Sequence, residues 1–337
     1  MSRETGPGGY VSDKDALIAA LQKRAKDRGD RREFLRKSAG FAVGIVGGAA
    51  ITACGRNTSA QTSGGSGSGT PPGSGPTDAE IFNFALNLEY LEAEFYSFAS
   101  TGSGLAASML TGTGTQGAAT GGRQVSFSDP VVSQFASELA KDEMEHVNFL
   151  RTTLGSAAVA QPAIDIGTSP SGAFSSAARA AGLIGAGASF DPYASDANFL
   201  LAAFIFEDVG VTAYKGASPL IMNKTYLEAA AGILAVEAYH AGSIRTMLYS
   251  KGVAAPMLRT GADMISAARN MLDTPGKDQG IDGTANTSNI VPADSNGIAF
   301  SRSPAEVLNI VYLTPSPTNK GGFFPNGVNG DLVMSDH

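Results

Sequence analysis

The chain has 337 residues, of which 43% are hydrophobic, enough for a substantial core in one large domain or two small ones. Residues 1–37 carry ten Lys and Arg against six Asp and Glu, whereas the rest of the chain carries fourteen against twenty-five and is therefore acidic. An acidic body repels phosphate backbones, which argues against nucleic acid as a partner, and the single cysteine, Cys54, excludes an internal disulfide and a cysteine-based metal cage.

Residues 1–54 are typical of an export signal. The sequence DRREFLRK contains a twin-arginine pair, and the apolar run from Ser38 to Ala53 is shorter than the about 20 residues that a membrane-spanning helix needs. The run ends in ITAC, which resembles a lipoprotein box with Cys54 as the lipidated residue; the alternative is an ordinary signal helix with an incidental cysteine. We therefore predict export of the folded protein to the periplasm or cell envelope, with membrane attachment through a lipid at Cys54.

A change of composition separates this signal from the body of the protein. Residues 55–77 consist almost wholly of Gly, Ser, Thr, Pro, Gln and Asn, which cannot bury apolar area, so they are predicted to form a flexible linker. From Asp78, apolar residues recur at helical spacing until Gly102, and Thr77 and Asp78 offer oxygen atoms for the N-terminal cap. This pattern predicts a first long helix.

Three further long helices are predicted. The second runs from a cap at Ser128 or Asp129 to Gly155, the third over 195–216, and the fourth from 218 to 252. The connection between the third and fourth is too short for anything but antiparallel neighbours, and the loop after the first permits the same. About 40 residues separate the second from the third, with a short helix predicted over 171–184. Residues 78–251 are therefore predicted to be an all-α four-helix bundle, built from two antiparallel hairpins joined by a long crossover.

Residues 252–337 are predicted to form an irregular C-terminal extension. One exception is the segment SPAEVLNIVYL, in which Ser303 and Glu306 form a capping box around Pro304. The aromatic, turn-rich end GGFFPNGVNG is expected to pack over the bundle or over a neighbouring subunit rather than to bind a substrate. The sequence is thus compatible with a homodimer.

The chain has three histidines, and two of them stand in Glu-x-x-His pairs on the second and fourth helices. Residues three apart on a helix point the same way, so each pair presents one carboxylate and one imidazole on an inner stripe. The first and third helices each add one glutamate to their inner stripes. The predicted metal ligands are Glu89, Glu143, His146, Glu207, Glu237 and His240.

Metal ions would make this arrangement stable. Burying even one unpaired ion costs several kcal/mol, and two divalent cations would cancel the charge of four neighbouring carboxylates. Nitrogen and oxygen ligands without thiolate suit iron or manganese, and zinc could occupy such a site. The sequence therefore predicts a carboxylate-bridged centre of two metal ions that leaves positions open for oxygen or peroxide.

A tyrosine follows two of these glutamates after seven residues: Tyr96 follows Glu89, and Tyr214 follows Glu207. Both tyrosines are candidate catalytic residues, as hydrogen-bonding or electron-relay partners near the metals. The alternative is that they are core tyrosines whose hydroxyl groups need a partner. The remaining acids of these helices are expected to be solvated or end-of-helix charges; they are Glu92, Glu94, Glu138, Glu145 and Glu228.

The stretches NLEYLEAEFY, DEMEHVNFLR, IFEDVGVTAY and VEAYHAGSIR resemble the ferritin-like superfamily, which includes bacterioferritins, rubrerythrins and desiccation-related proteins. The resemblance covers residues 78–251, and the six ligand positions of that family fall on the six residues named above. It also implies that an aspartate before each Glu-x-x-His pair orients a histidine. Asp142 matches this pattern, whereas Val236 stands at the second position, so the two metal sites need not be equivalent.

Two functions remain open at this point. One is a di-iron or di-manganese oxidoreductase that consumes oxygen or peroxide while it oxidises metal or a small reductant. The other is a non-catalytic envelope protein that protects during drying or oxidative stress, with metal used to stabilise the bundle. Mineral storage in a closed shell is the least favoured, because a lipid tether, a 26-residue loop and a long C-terminal extension would obstruct assembly.

Overall fold

The computed structural model of the protein describes residues 75–336. The predicted export signal, the lipidation site Cys54 and the linker up to residue 74 lie outside the described residues. The helices, in chain order, are α1 Asp78–Thr101, α2 Pro130–Leu154, α3 Ala173–Ala180, α4 Asp196–Ala217, α5 Lys224–Lys251, α6 Met257–Leu272 and α7 Pro304–Tyr312, with the short strands β1 Ala119–Thr120 and β2 Ile164–Asp165.

The predicted ends of α1 and α2 are confirmed. The Thr77 hydroxyl accepts from the backbone N–H of Glu80, whose carboxylate reaches back to the Thr77 N–H, and the helix ends at Gly102 with φ 81°. Asp129 caps α2, and Pro130 is its first residue. Local capping residues therefore mark these boundaries, and at the start of α2 the Asp196 carboxylate also accepts from the backbone N–H groups of Ser128 and Asp129.

The fourth long helix begins later than predicted. Residues 218–220 form a short 3₁₀ turn, and α5 starts at Lys224. The reason is local hydrogen bonding: the Ser218 hydroxyl donates back to the carbonyl of Tyr214, while the side chain of Asn223 accepts from the backbone N–H of Thr225 and Tyr226. Asn223, rather than Ser218, is the cap of α5.

The bundle consists of two helical hairpins. α1 packs along α2, α4 packs along α5, and α1 also contacts α4. The crossover between the hairpins contains α3 and β2, and β2 pairs in parallel with β1 from the α1–α2 loop, with Ala119 opposite Ile164 and Thr120 opposite Asp165. The all-α four-helix bundle predicted from the sequence is therefore confirmed.

Helix α4 is the most apolar of the four long helices of the bundle. By length and hydropathy Asp196–Leu220 could cross a membrane, but 83% of the apolar 18-residue stretch within it is buried inside the protein. It contacts α1, α5, α6 and α7, so it has no polar face to present to water. We therefore interpret α4 as the central core helix of the bundle.

The C-terminal extension is irregular over most of its length, but it contains one helix that the sequence did not predict. Two features of α6 conceal it in the sequence. Its N-terminal cap makes no side-chain hydrogen bond, and Gly261 lowers the helix propensity of the segment. Tertiary packing compensates, because Gly261 lets the helix approach Leu183 and Leu201 closely. The predicted helix α7 is present with its Ser303–Glu306 capping box.

The aromatic end of the extension packs over the bundle. Phe323 and Phe324 are fully buried, and the ring of Phe323 lies 4.9 Å from that of Phe206 on α4. Farther on, Asn329 and Asn87 exchange hydrogen bonds of 2.9 Å. This cover buries a face of α1 that a bundle of four helices alone would leave in water.

Candidate metal centre

The six predicted ligands meet in the core between the two hairpins. Each is less than a tenth exposed, although all but two are carboxylates. The elements deliver them as expected: α1 and α4 supply one glutamate each, and α2 and α5 supply one Glu-x-x-His pair each. They are Glu89, Glu143, His146, Glu207, Glu237 and His240.

Glu143 lies between the two histidines. Its Oε2 is 3.0 Å from Nδ1 of His146, and its Oε1 is 2.9 Å from Nδ1 of His240. The two imidazole rings are 6.4 Å apart, measured between centroids. One carboxylate therefore contacts nitrogen atoms from two different helices. Each of its two oxygen atoms could bind a different cation.

The donor atoms form two groups that share Glu143. In the first group, ligand atoms of Glu89, Glu143, His146 and Glu237 all lie within 4.8 Å of one another. The second group consists of Glu143, Glu207 and His240 at the same limit. Each group combines one imidazole with at least two carboxylates, so either could hold a metal ion.

Several donor atoms of the site make no aligned hydrogen bond. Among residues 75–336 these buried atoms include Oε1 of Glu143 and Nδ1 of His240, which face each other at 2.9 Å, Oε2 of Glu207 and both carboxylate oxygens of Glu237. Buried polar atoms are almost always satisfied, and each one left over costs about 1–3 kcal/mol. The five atoms are distributed over the two groups, so one cation in each group would satisfy them.

Without metal, protons take up part of this charge. Burial by itself lowers the pKa of His146, but the neighbouring carboxylates of Glu89 and Glu143 outweigh it and raise the pKa to about 11. The pKa of His240 is raised to about 12, because Glu207 and Glu143 likewise outweigh its burial. Burial raises the pKa of Glu237 well above its ordinary value, and neighbouring carboxylates add to that effect. The metal-free centre therefore holds several protons that cations would displace.

The two candidate catalytic tyrosines reach across the bundle. Tyr96 on α1 donates to Oε1 of Glu207 on α4 at 2.5 Å, and Tyr214 on α4 donates to Oε1 of Glu89 on α1. Each tyrosine is thus bound to the glutamate of the opposite helix. Both hydroxyl groups therefore contact a candidate metal ligand.

Asp142 contacts the histidine of the opposite pair. Its Oδ2 lies 3.4 Å from Nε2 of His240, while its own side chain is 31% exposed. Within the part of the chain that the structure describes, no acidic side chain pairs with Nε2 of His146, and Val236 stands where the sequence pattern would place one. The two histidines therefore differ in what orients them.

Two acidic residues that the sequence predicts to be solvated are buried. Glu92 is 6% exposed and Glu94 is 3% exposed, whereas Glu138, Glu145 and Glu228 are exposed as predicted. Burial raises the pKa of Glu92 well above its ordinary value, and the charges of Glu143 and Glu207 raise it further. The signal was present in the sequence, because positions 89, 92 and 96 share one helical face.

Gly210 provides the space for one ligand. It lies three residues after Glu207 on α4, at the place that Glu92 takes after Glu89 on α1. A Cβ atom at Gly210 would come within 2.1 Å of Oε2 of Glu237. The position therefore has to be glycine for the Glu237 carboxylate to occupy its present place, and the two halves of the centre differ here as well.

Comparisons with known proteins agree with this architecture. The family model described as ferritin-like domain matches residues 77–250. The chain is 31% identical over 272 residues to the ferritin-like catalase Nec2 of Nesocodon mauritianus, in a match that covers 76% of this chain and 85% of the relative. It is 29% identical over 268 residues to the desiccation-related protein PCC13-62 of Craterostigma plantagineum, covering 75% and 83%. No solved structure is a significant match.

Proposed function

This chain belongs to the ferritin-like domain family, and from that premise we propose that its buried cluster holds two divalent metal ions and consumes hydrogen peroxide. Iron or manganese is the proposed metal, with zinc as a redox-inactive competitor. The overall reaction would convert two molecules of hydrogen peroxide to two of water and one of dioxygen. In a related reaction at the same centre, dioxygen would be the oxidant and a metal ion or a small molecule would be the reductant.

One observation carries the proposal: the Glu143 carboxylate reaches both His146 and His240 in a core where five donor atoms make no aligned hydrogen bond. A structural zinc ion has four protein ligands, whereas the group around His240 has three contributing residues and so leaves at least one position open. Positions that protein atoms leave open are where a small oxidant could bind. The similarity to a protein named as a catalase supports peroxide as that oxidant.

The protein's own residues would hold and position the reactants. The six ligands would bind the ions, and the burial of all six would exclude bulk water. Tyr96 and Tyr214 would hold Glu207 and Glu89 in place and offer hydroxyl protons next to the centre. When bound, the metals would supply redox chemistry that no side chain of this core can supply.

Elemental analysis and peroxide turnover test this proposal together. We expect about two iron or manganese ions per chain, and dioxygen release from peroxide by the protein as purified. Glu143→Ala and His240→Ala should abolish turnover, whereas Glu138→Ala, an exposed glutamate on the same helix as Glu143, should leave it unchanged. Metal-loaded protein that does not react with peroxide or dioxygen would overturn the enzymatic proposal.

A second candidate is a non-catalytic role in stress or desiccation protection. The desiccation-related relative matches this chain over almost the same length as the catalase does. Its sequence identity to this chain is 29%, against 31% for the catalase. In that case the metals would stabilise the bundle. Glu143→Ala and His240→Ala would then lower the thermal stability of the metal-loaded protein, while the unmodified protein would show no turnover with either oxidant.

We also propose that the protein is exported by the twin-arginine route and attached to the membrane by a lipid at Cys54. The sequence DRREFLRK before an apolar run that ends at Cys54 supports the proposal. Replacing Arg31 and Arg32 with lysine should retain the protein in the cytoplasm. In a detergent phase-partitioning experiment, the unmodified protein should enter the detergent phase and the Cys54→Ser variant should stay in the aqueous phase. Equal partitioning of the two proteins would exclude a lipid at Cys54.

A further inference from the structure

The two histidines are the ligands through which the metal centre meets solvent. The four carboxylates of the site are at most 1% exposed, whereas His146 is 8% exposed and His240 is 4% exposed. Each histidine faces the helix of the other: Nδ1 of His146 lies 3.9 Å from Oε1 of Glu237 on α5, and Nε2 of His240 lies 3.4 Å from Oδ2 of Asp142 on α2. Solvent therefore approaches the centre between α2 and α5. We call this side the α2–α5 seam, formed by Asp142, His146 and Phe149 on α2 and by Val236 and His240 on α5.

The other sides of the bundle are covered. Within the hairpins, α1 packs along α2 and α4 packs along α5. Between α1 and α4, helix α7 and the aromatic end of the extension lie over the core, where Ile310, Val311 and Phe323 line a cavity of about 20 Å³. A cavity of that size has room for a single water molecule. Because α2 and α5 pack less closely than any of these helix pairs, the α2–α5 seam is the most open side of the bundle.

Apolar residues flank His146 at the seam. Phe149 follows His146 by three residues and Val236 precedes His240 by four, so both lie on the faces that α2 and α5 turn toward each other. Helical side chains lean toward the preceding turn, so Phe149 leans toward His146, and its ring remains 42% exposed. A Cβ atom at Gly232, one turn before Val236, would meet nothing within 4 Å. Space therefore remains at the outer edge of the seam.

The two histidines differ in what stands in front of Nε2. Asp142 faces Nε2 of His240 and so occupies that end of the seam. In the part of the chain that the structure describes, no acidic group pairs with Nε2 of His146, and Val236 stands at the position that corresponds to Asp142. A valine side chain offers neither a charge nor a hydrogen bond that would hold His146 or a passing molecule. The His146 end is therefore the more permeable one, in agreement with its greater exposure.

We propose that hydrogen peroxide reaches the metal centre through the α2–α5 seam, beside His146 and between Phe149 and Val236. This inference rests on the proposed function, because it concerns the route to the same centre. Hydrogen peroxide is neutral and little larger than water, so it can follow the path by which solvent reaches His146. A bulky organic reductant cannot follow it, since the carboxylates behind the histidines are almost fully buried.

Two substitutions change the width of the seam in opposite directions. Val236→Phe adds an aromatic ring between the helices and should narrow the seam, whereas Phe149→Ala removes one and should widen it. Ala235→Phe is the matched control, because Ala235 is exposed and lies about 100° around α5 from Val236. The full-length protein is loaded with Co²⁺, which accepts imidazole and carboxylate ligands, and azide is the probe. Stopped-flow absorption then gives the rate of azide association without any redox reaction.

Azide association should be about tenfold slower in Val236→Phe, faster in Phe149→Ala and unchanged in Ala235→Phe. With the native metal, Val236→Phe should raise KM for peroxide at unchanged kcat, as a change in access does. Phe149 does not adjoin a ligand in sequence, so its opposite effect separates access from distortion of Glu237. Equal azide rates in Val236→Phe and the unmodified protein, or equal slowing by Ala235→Phe, would overturn the route. If the unmodified protein does not turn over peroxide, the proposed function fails and the azide rates still test the seam.

Discussion

The hydroxyl group of Tyr96 donates a 2.5 Å hydrogen bond to Oε1 of Glu207, a candidate ligand on the opposite helical hairpin. Burial raises the pKa of Tyr96 well above its ordinary value, and the charge of Glu207 raises it further, so the tyrosine remains a donor. With the reciprocal bond from Tyr214 to Glu89, this contact ties α1 to α4 through the two glutamates that would face the metals.

Removing the Tyr96 hydroxyl group tests whether this tyrosine is a catalytic residue or only a core residue. Tyr96→Phe leaves Oε1 of Glu207 without its donor, which should cost about 1–3 kcal/mol in the free energy of unfolding. If the tyrosine acts at the metal centre, peroxide turnover should also fall by about tenfold or more. The matched control is Tyr193→Phe, because Tyr193 is equally buried but donates to the carbonyl of Ile166. Urea denaturation and oxygen release measure the two effects, and a loss of stability without a loss of turnover would leave Tyr96 a core residue.

Asp142 should orient His240 and so strengthen metal binding. Asp142→Asn keeps the size of the side chain but weakens the acceptor for the His240 ring, which should lower metal affinity about 10–100-fold. Because His146 lacks such a partner, the loss should appear in one of two binding steps when metal is titrated into metal-free protein. Asp129→Asn, an acid at the cap of the same helix, is the control, and equal weakening of both steps would contradict a role confined to His240.

Glu92 should destabilise the metal-free protein. Its carboxyl group is buried beside Glu143 and Glu207, so its pKa is raised by burial and by like charge. Glu92→Gln removes that conflict and should raise the melting temperature of metal-free protein by a few degrees, equivalent to about 1 kcal/mol. Glu138→Gln makes the same change of net charge at an exposed position and should have no such effect. An unchanged or lower melting temperature for Glu92→Gln would show that the Glu92 carboxyl group does not destabilise the metal-free protein.

The stability of metal-free protein should fall as pH rises. Burial raises the pKa of Glu89 to about 7, so the stability that this group contributes is complete below its ordinary value of 4.5 and is lost as pH approaches 7. The pKa of His146 is raised from 6.5 to about 11, so its contribution is lost over that higher range. Metal ions displace these protons, so metal affinity should rise with pH.

Thermal unfolding at several pH values measures this behaviour. Chelator-treated protein should melt at a lower temperature at about pH 9 than at about pH 5, and metal-loaded protein should show a smaller decrease or the reverse. Glu89→Gln should reduce the loss between about pH 4.5 and pH 7, to which the raised pKa values of Glu92 and Glu237 also contribute, and keep the loss at higher pH. A metal-free protein whose stability rises with pH over this range would contradict the assignment.

The C-terminal extension should depend on Arg302. This side chain is fully buried, donates to Asp273 at 2.5 Å and to Asp278 at 2.6 Å, and also reaches Thr212 on α4. Arg302→Met leaves Asp273 without its cation in the interior and leaves Asp278 with Arg269 alone, which should cost about 3–5 kcal/mol. Arg123→Met breaks a pair in which the arginine is 50% exposed and should cost at most about 1 kcal/mol. Urea denaturation measures both, and similar losses would contradict a structural role for the buried network.

The sequence by itself determined which side chains share a face. Two Glu-x-x-His pairs and two glutamates at helical spacing predicted the six residues that the structure brings together, because a helix fixes the relative direction of residues three apart. Helix caps such as Thr77 and Asp129 also acted locally, so the ends of α1 and α2 could be predicted. The family resemblance rests on the same short-range patterns.

The tertiary structure decided what lies opposite each of these faces. Periodicity does not give the register between two helices, so the pairing of Tyr96 with Glu207 and of Asp142 with His240 could not be predicted. It also does not give which surfaces the α1–α2 loop and the extension cover, so the burial of Glu92 and Glu94 could not be predicted. Burial and cross-helix partners depend on residues far apart in the chain, whereas the spacing of residues on one helix depends only on near neighbours.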